Sequence, residues 1–73
     1  MTVRWVFSRE NQQTSIEIVS RSDTCSFCIH RADGAAEQIA VPTIMEAMLR
    51  EAILERELTV NGWELLDFQR LSP

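Results

Sequence analysis

The chain contains no lysine, and its seven basic residues are all arginine. Against eleven acidic residues this leaves a formal net charge of −4 and a pI near 4.8. Phosphate neutralisation supplies most of the affinity for nucleic acid, so an acidic chain without a basic patch is not expected to bind one. The same shortage of cations argues against an anionic membrane surface as partner. No apolar run approaches the ~18 residues of a membrane helix. The opening Met1-Thr2-Val3-Arg4-Trp5 lacks the basic and then apolar regions of a secretory signal. With only two cysteines, Cys25 and Cys28, a reducing cytoplasmic setting is the expectation, with no cofactor. Internal repeats and low-complexity stretches are absent too.

What remains is a single domain, 1–73, of ordinary apolar content, 45%. A chain this short buries only about 60% of the surface its unfolded form exposes, so a partner subunit is one natural source of added stability.

Two glycines and two prolines punctuate the chain. Val3, Trp5 and Phe7 alternate with Arg4, Val6 and Ser8, the period of a half-buried strand. Ile16 and Ile18 mark a second strand, and Cys25, Phe27 and Ile29 a third. Asp33-Gly34 is a hairpin signal, followed by Ile39 and Val41 at strand spacing. A three-residue loop, Asp33-Gly34-Ala35, sets Ile39 opposite Ile29, Val41 opposite Phe27 and Glu37 opposite Arg31. The same reasoning pairs Ile18 with Phe27, Ile16 with Ile29, Trp5 with Ile18 and Phe7 with Ile16. The four strands then share one apolar face.

The period next changes to that of a helix, from about Thr43 to about Thr59. Thr43-Ile44-Met45-Glu46 has the form of a capping box, and Asn61-Gly62 that of a C-terminal stop. Glu46 and Arg50 stand at i,i+4 in the favourable order. Ile44, Met45, Met48, Leu49, Ala52 and Ile53 form the stripe expected to face the core. Trp5 and Trp63 are expected there as well. Trp63 to Arg70 reads as a last strand in which a bulge near Leu65–Leu66 would bring Trp63, Leu65, Leu66 and Phe68 all inward, and without which both faces of the strand are partly covered. Connectivity then gives the strand order five-one-two-three-four. The expected fold is α+β, ββββαβ: a two-layer sandwich of an antiparallel meander, one helix and a C-terminal strand.

Asn61-Gly62-Trp63-Glu64-Leu65-Leu66 resembles a signature of small uncharacterised bacterial domains. In these a helix ends in a Gly-Trp-Glu-Leu-Val-like run leading into the last strand. They also tend to open, as Val3-Arg4-Trp5-Val6-Phe7 does, with a strand carrying an aromatic residue. The resemblance implies a fold and a bacterial setting, and no activity.

Cys25, Cys28 and His30 are the one group with metal or thiol chemistry. In a strand, residues three apart point to opposite faces with Cα atoms about 10 Å apart. That spacing argues against a shared metal and against a disulfide, which needs Cα atoms within about 7 Å. Cys25 is then expected to be a small core residue and Cys28 to lie on the other face. His30, the only histidine, has no nucleophile placed beside it. Glu46, Glu51, Glu55, Glu57 and Glu64 read as a solvated face, without EF-hand spacing. No nucleophile–base pair or phosphate-cradling loop is visible, so an enzyme is not expected.

Leu54 and Leu58, with Ala47, form a second apolar ridge roughly opposite the core stripe. Val6 and Val19 lie on a mixed outer sheet face. These five residues are the candidate interface, and the expected role is protein interaction or self-association as a homodimer. The alternative is a metal-binding or thiol-redox regulator using Cys25, Cys28 and His30.

Overall fold

A computed structural model describes residues 1–72. Four strands, β1 (Thr2–Arg9), β2 (Gln12–Arg21), β3 (Thr24–His30) and β4 (Ala36–Val41), form an antiparallel meander. The helix α1 (Ile44–Val60) and the strand β5 (Glu64–Ser72) follow. β5 returns beside β1, giving the order β4-β3-β2-β1-β5. The fold is α+β in two layers, with α1 lying over β2, β3 and β4.

Alternation decides the sheet faces. Val3, Trp5, Phe7, Ile16, Ile18, Cys25, Phe27, Ile29 and Val41 all point inward and are buried. The β2–β3 register pairs Ile18 with Phe27 and Ile16 with Ile29, as the apolar pattern requires.

Two other registers differ from the expected ones by two residues. Trp5 stands opposite Ile16, and Val3 opposite Ile18, because the β1–β2 turn is only Glu10-Asn11. Glu10 takes up a left-handed φ of 56° to close it. In the last hairpin Phe27 faces Ile39 and Cys25 faces Val41. The connection there runs from Arg31 to Ala35, closed by Arg31 N donating to the Ala35 carbonyl at 2.8 Å. Asp33 Oδ1 accepts from Ala35 N inside the turn. A shift of two keeps every side chain on its face, so the apolar pattern alone does not distinguish these registers. Glu37 falls opposite Ile29, yet still reaches Arg31 along the diagonal at 3.5 Å.

The helix ends follow local chemistry. Thr43 Oγ1 accepts from Glu46 N at 3.1 Å. At the other end Trp63 N donates to the Leu58 carbonyl and Gly62 N to the Thr59 carbonyl, a Schellman motif with Gly62 at φ 88°. Among the described residues the Glu46–Arg50 ion pair does not form. In β5, Asp67 faces Val6 and Leu65 faces Phe7, which leaves Leu66 as the extra residue of a bulge. The bulge does not bring the strand's apolar residues inward: Trp63 is buried while Leu65, Leu66 and Phe68 stay exposed, because α1 lies over β2, β3 and β4 and not over β5.

The helix faces the opposite way from expectation. Ala47 and Leu58 are buried and Leu54 packs against the core. Ile44, Met45, Met48, Leu49 and Ile53 are exposed, so Met45 and Met48 are not core residues. The reason lies in the Schellman motif. It stacks its first and last residues, Leu58 and Trp63, which are both buried. Leu58 therefore sets the inward direction, and Leu54, Glu51 and Ala47 follow it at helical spacing. Glu51 is thus buried rather than part of a solvated face.

Candidate functional site

The cysteine–histidine group is not assembled. Cys25 is buried beneath the sheet. Cys28 lies on the outer face, opposite Glu17 and Gln38, and His30 is exposed between Ser15 and Ala36. Burial, and secondarily the Glu17 carboxylate, raise the Cys28 thiol above its ordinary pKa. That direction disfavours the thiolate that metal binding or nucleophilic attack requires. Among the described residues no group of three or more His, Cys, Asp or Glu side chains is placed to hold a metal ion.

The outer sheet face is occupied by polar side chains that satisfy one another. Arg4 donates to Glu17 Oε2 through Nε at 3.2 Å and through Nη2 at 2.8 Å. Gln38 Nε2 donates to Ser26 Oγ at 3.4 Å. Val6 and Val19 sit half-buried among them, facing Ser15 and Ser26 across the ladder. Of the five candidate interface residues, these two lie on the outer sheet face with partial access to solvent. Ala47, Leu54 and Leu58 are turned into the core, so the surface expected of that ridge does not exist on this fold.

The apolar surface lies instead on the back of the same helix. Met45 is 67% exposed, Leu49 54%, Ile53 63% and Val60 78%. Positions 45, 49, 52, 53, 56 and 60 share one face at helical spacing, and only Arg56 among them is charged. α1 thus carries apolar residues on two opposite faces, one packed on the sheet and the other left largely exposed.

This surface continues around the helix N-terminal half. Ile44, Met45 and Met48 line a groove of about 330 Å³ with Val3, Trp5 and Phe68. Phe68 is half exposed, with its ring 5.2 Å from that of Trp5 and inclined at 55°. β5 is an edge strand, and its Leu65, Leu66 and Leu71 are exposed as well. Edge strands of soluble proteins are usually protected by charge or bulges. β5 carries a bulge at Leu66 but keeps its apolar side chains.

Glu51 is the other feature that composition did not reveal. It is 5% exposed, and its Oε2 has no hydrogen-bond partner. Burial first, then a hydrogen bond and charge from Glu55, push its carboxyl up to about 8. A protonated carboxyl avoids the cost of an unpaired buried charge.

The Leu58–Trp63 relationship was the available signal for the helix orientation, since an Asn-Gly stop followed by Trp implies a contact back to the residue five earlier. No helix among the described residues is long and apolar enough to cross a membrane. Compared with protein-family models, curated proteins and solved structures, the chain matches none.

Proposed function

We propose that this chain is a non-enzymatic protein-interaction domain that works through the outward face of α1. One observation carries the reading: Met45, Leu49, Ile53 and Val60, all more than half exposed, lie along a single face of a helix whose opposite face already holds the core. Scattered exposed apolar residues need no explanation, but a continuous stripe of them does. The uncovered groove beside Phe68 and the apolar edge of β5 extend the same surface. The polar groups of the outer sheet face pair with one another, and the cysteines stand on opposite faces. Neither arrangement converges on a reacting atom, which favours binding over chemistry.

The test is site-specific photo-crosslinking in cells, with the probe at Leu49 and a control probe at Gln38 on the outer sheet face. The expected result is a protein adduct from position 49 that is absent from position 38. It should be lost when Met45 and Ile53 are changed to Ser in a chain that stays folded. Equal labelling from both positions, insensitive to those changes, would defeat the proposal.

A further inference from the structure

We infer that the occupant of this surface is a second copy of the chain, its α1 lying antiparallel across the first with Ala52 at the crossing point. This rests on the interaction reading above and adds the partner and its orientation.

The first argument is size. Covering Met45, Leu49, Ile53 and Val60 would remove on the order of 400 Å² of apolar surface per copy, about half of the ~800 Å² that each partner gives a standard interface. Ala52 and Arg56 on the same face, with Met48 and the partly exposed Glu46 beside it, add to this along a helix about 25 Å long. A single helix face thus provides at least half of a standard dimer interface before any other element is counted. Ala52 is the small residue near the middle, where two axes approach most closely.

The second argument is charge. Glu46 and Arg56 stand near the two ends of the stripe, and among the described residues neither makes an ion pair within the chain. In a parallel two-fold pair each would face its own copy, Glu46 on Glu46 and Arg56 on Arg56. In an antiparallel pair centred at Ala52, Glu46 lies six residues before the centre and Arg56 four residues after it. The offset between Glu46 of one copy and Arg56 of the other is two residues, about 3 Å along the axes, within reach of an arginine. The same crossing sets Met45 over Val60, offset by one residue, and Leu49 beside Ile53, offset by two. Apolar side chains meet apolar ones and each arginine meets a carboxylate, which a two-fold isologous contact requires.

Charge reversal tests the orientation directly. Arg56 is exposed and Glu46 partly so, and Glu46 enters the Thr43 cap through its backbone N, so the fold should tolerate Glu46→Arg and Arg56→Glu, and circular dichroism would verify this. Sedimentation equilibrium of the wild-type chain should show a monomer–dimer equilibrium. Each single reversal places like charges together at both symmetric contacts and should weaken dimerisation roughly tenfold. Mixing the two single variants should restore it as a heterodimer, and the double variant E46R/R56E should restore the homodimer. A wild type that is monomeric at all concentrations would overturn the second copy as occupant, while the crosslinking test above still judges the surface itself. A wild-type dimer unaffected by either reversal, or one not restored by mixing, would overturn the antiparallel helix contact.

Discussion

The guanidinium carbon of Arg9 lies 4.7 Å from the centroid of the Trp63 ring, and Arg9 Nη1 donates to the Asn61 carbonyl at 3.0 Å. One side chain at the end of β1 thereby holds both the carbonyl of Asn61, which caps α1, and the residue that opens the path to β5. A cation over an indole and a charged hydrogen bond each contribute. Arg9→Ala is expected to cost about 1–2 kcal/mol, measured by chemical denaturation. Arg9→Lys should recover only part of this, because an ammonium lacks the planar fork that stacks and donates at once.

Gly62 tests the turn itself. A Cβ added there meets only Arg9 Cδ at 3.7 Å, an ordinary contact, so space is not the constraint. The constraint is φ at +88°, where a non-glycine residue costs roughly 1–2 kcal/mol. Gly62→Ala should therefore lower stability by about that amount without altering the helix content seen by circular dichroism. Gly62→Asn should cost less, since asparagine tolerates the left-handed region better.

Glu51 makes stability depend on pH. Its folded-state carboxyl titrates near 8, above the ordinary carboxylate range, because it is buried and hydrogen-bonded to Glu55. Between that ordinary range and about pH 8 the folded chain holds a proton that the unfolded chain has released. Stability should therefore fall as pH rises through this window and level off above it. The size is on the order of a few kcal/mol. Glu51→Gln keeps the shape and removes the titration. Denaturation curves from pH 5 to 9 should show a declining midpoint for the wild type and a flatter one for Glu51→Gln, with the variant the more stable at pH 9. Parallel profiles would mean that Glu51 is charged without penalty.

How far these features could be read from the sequence depended on whether local chemistry or global packing decided them. The strand faces and the Thr43 cap follow from neighbouring residues and the strand order from connectivity, whereas the bulge at Leu66 is one of two readings that the Leu65–Leu66 pair allows. Register was ambiguous wherever a shift of two residues leaves the apolar pattern intact, as with Trp5 opposite Ile16 rather than Ile18. The helix orientation was obscured because apolar residues lie on two opposite faces of it. Ile44, Met45, Met48, Leu49, Ala52 and Ile53 make the more conspicuous stripe, and the core took Ala47, Leu54 and Leu58 with a carboxyl among them. The conspicuous stripe was a surface. Apolar periodicity reports what must be covered, and it does not say whether the chain or a partner covers it.

That distinction yields the sharpest stability contrast. Leu58 is 8% exposed beside Trp63, so Leu58→Ala removes buried carbon and leaves a cavity, at about 2–5 kcal/mol. Leu49 is 54% exposed, and Leu49→Ala in the monomer should fall within about 0.5 kcal/mol of the wild type. Denaturation should be followed at a dilution where the chain is monomeric, because a dimer stabilises its folded state by mass action. At higher concentration the two variants should diverge in a second way. The wild type and Leu58→Ala should gain stability with concentration, whereas Leu49→Ala should gain less, having lost part of the surface that a second copy would cover. Equal costs for the two substitutions in the monomer would mean that both faces of α1 are buried within one chain, and the outward surface would then have no work to do.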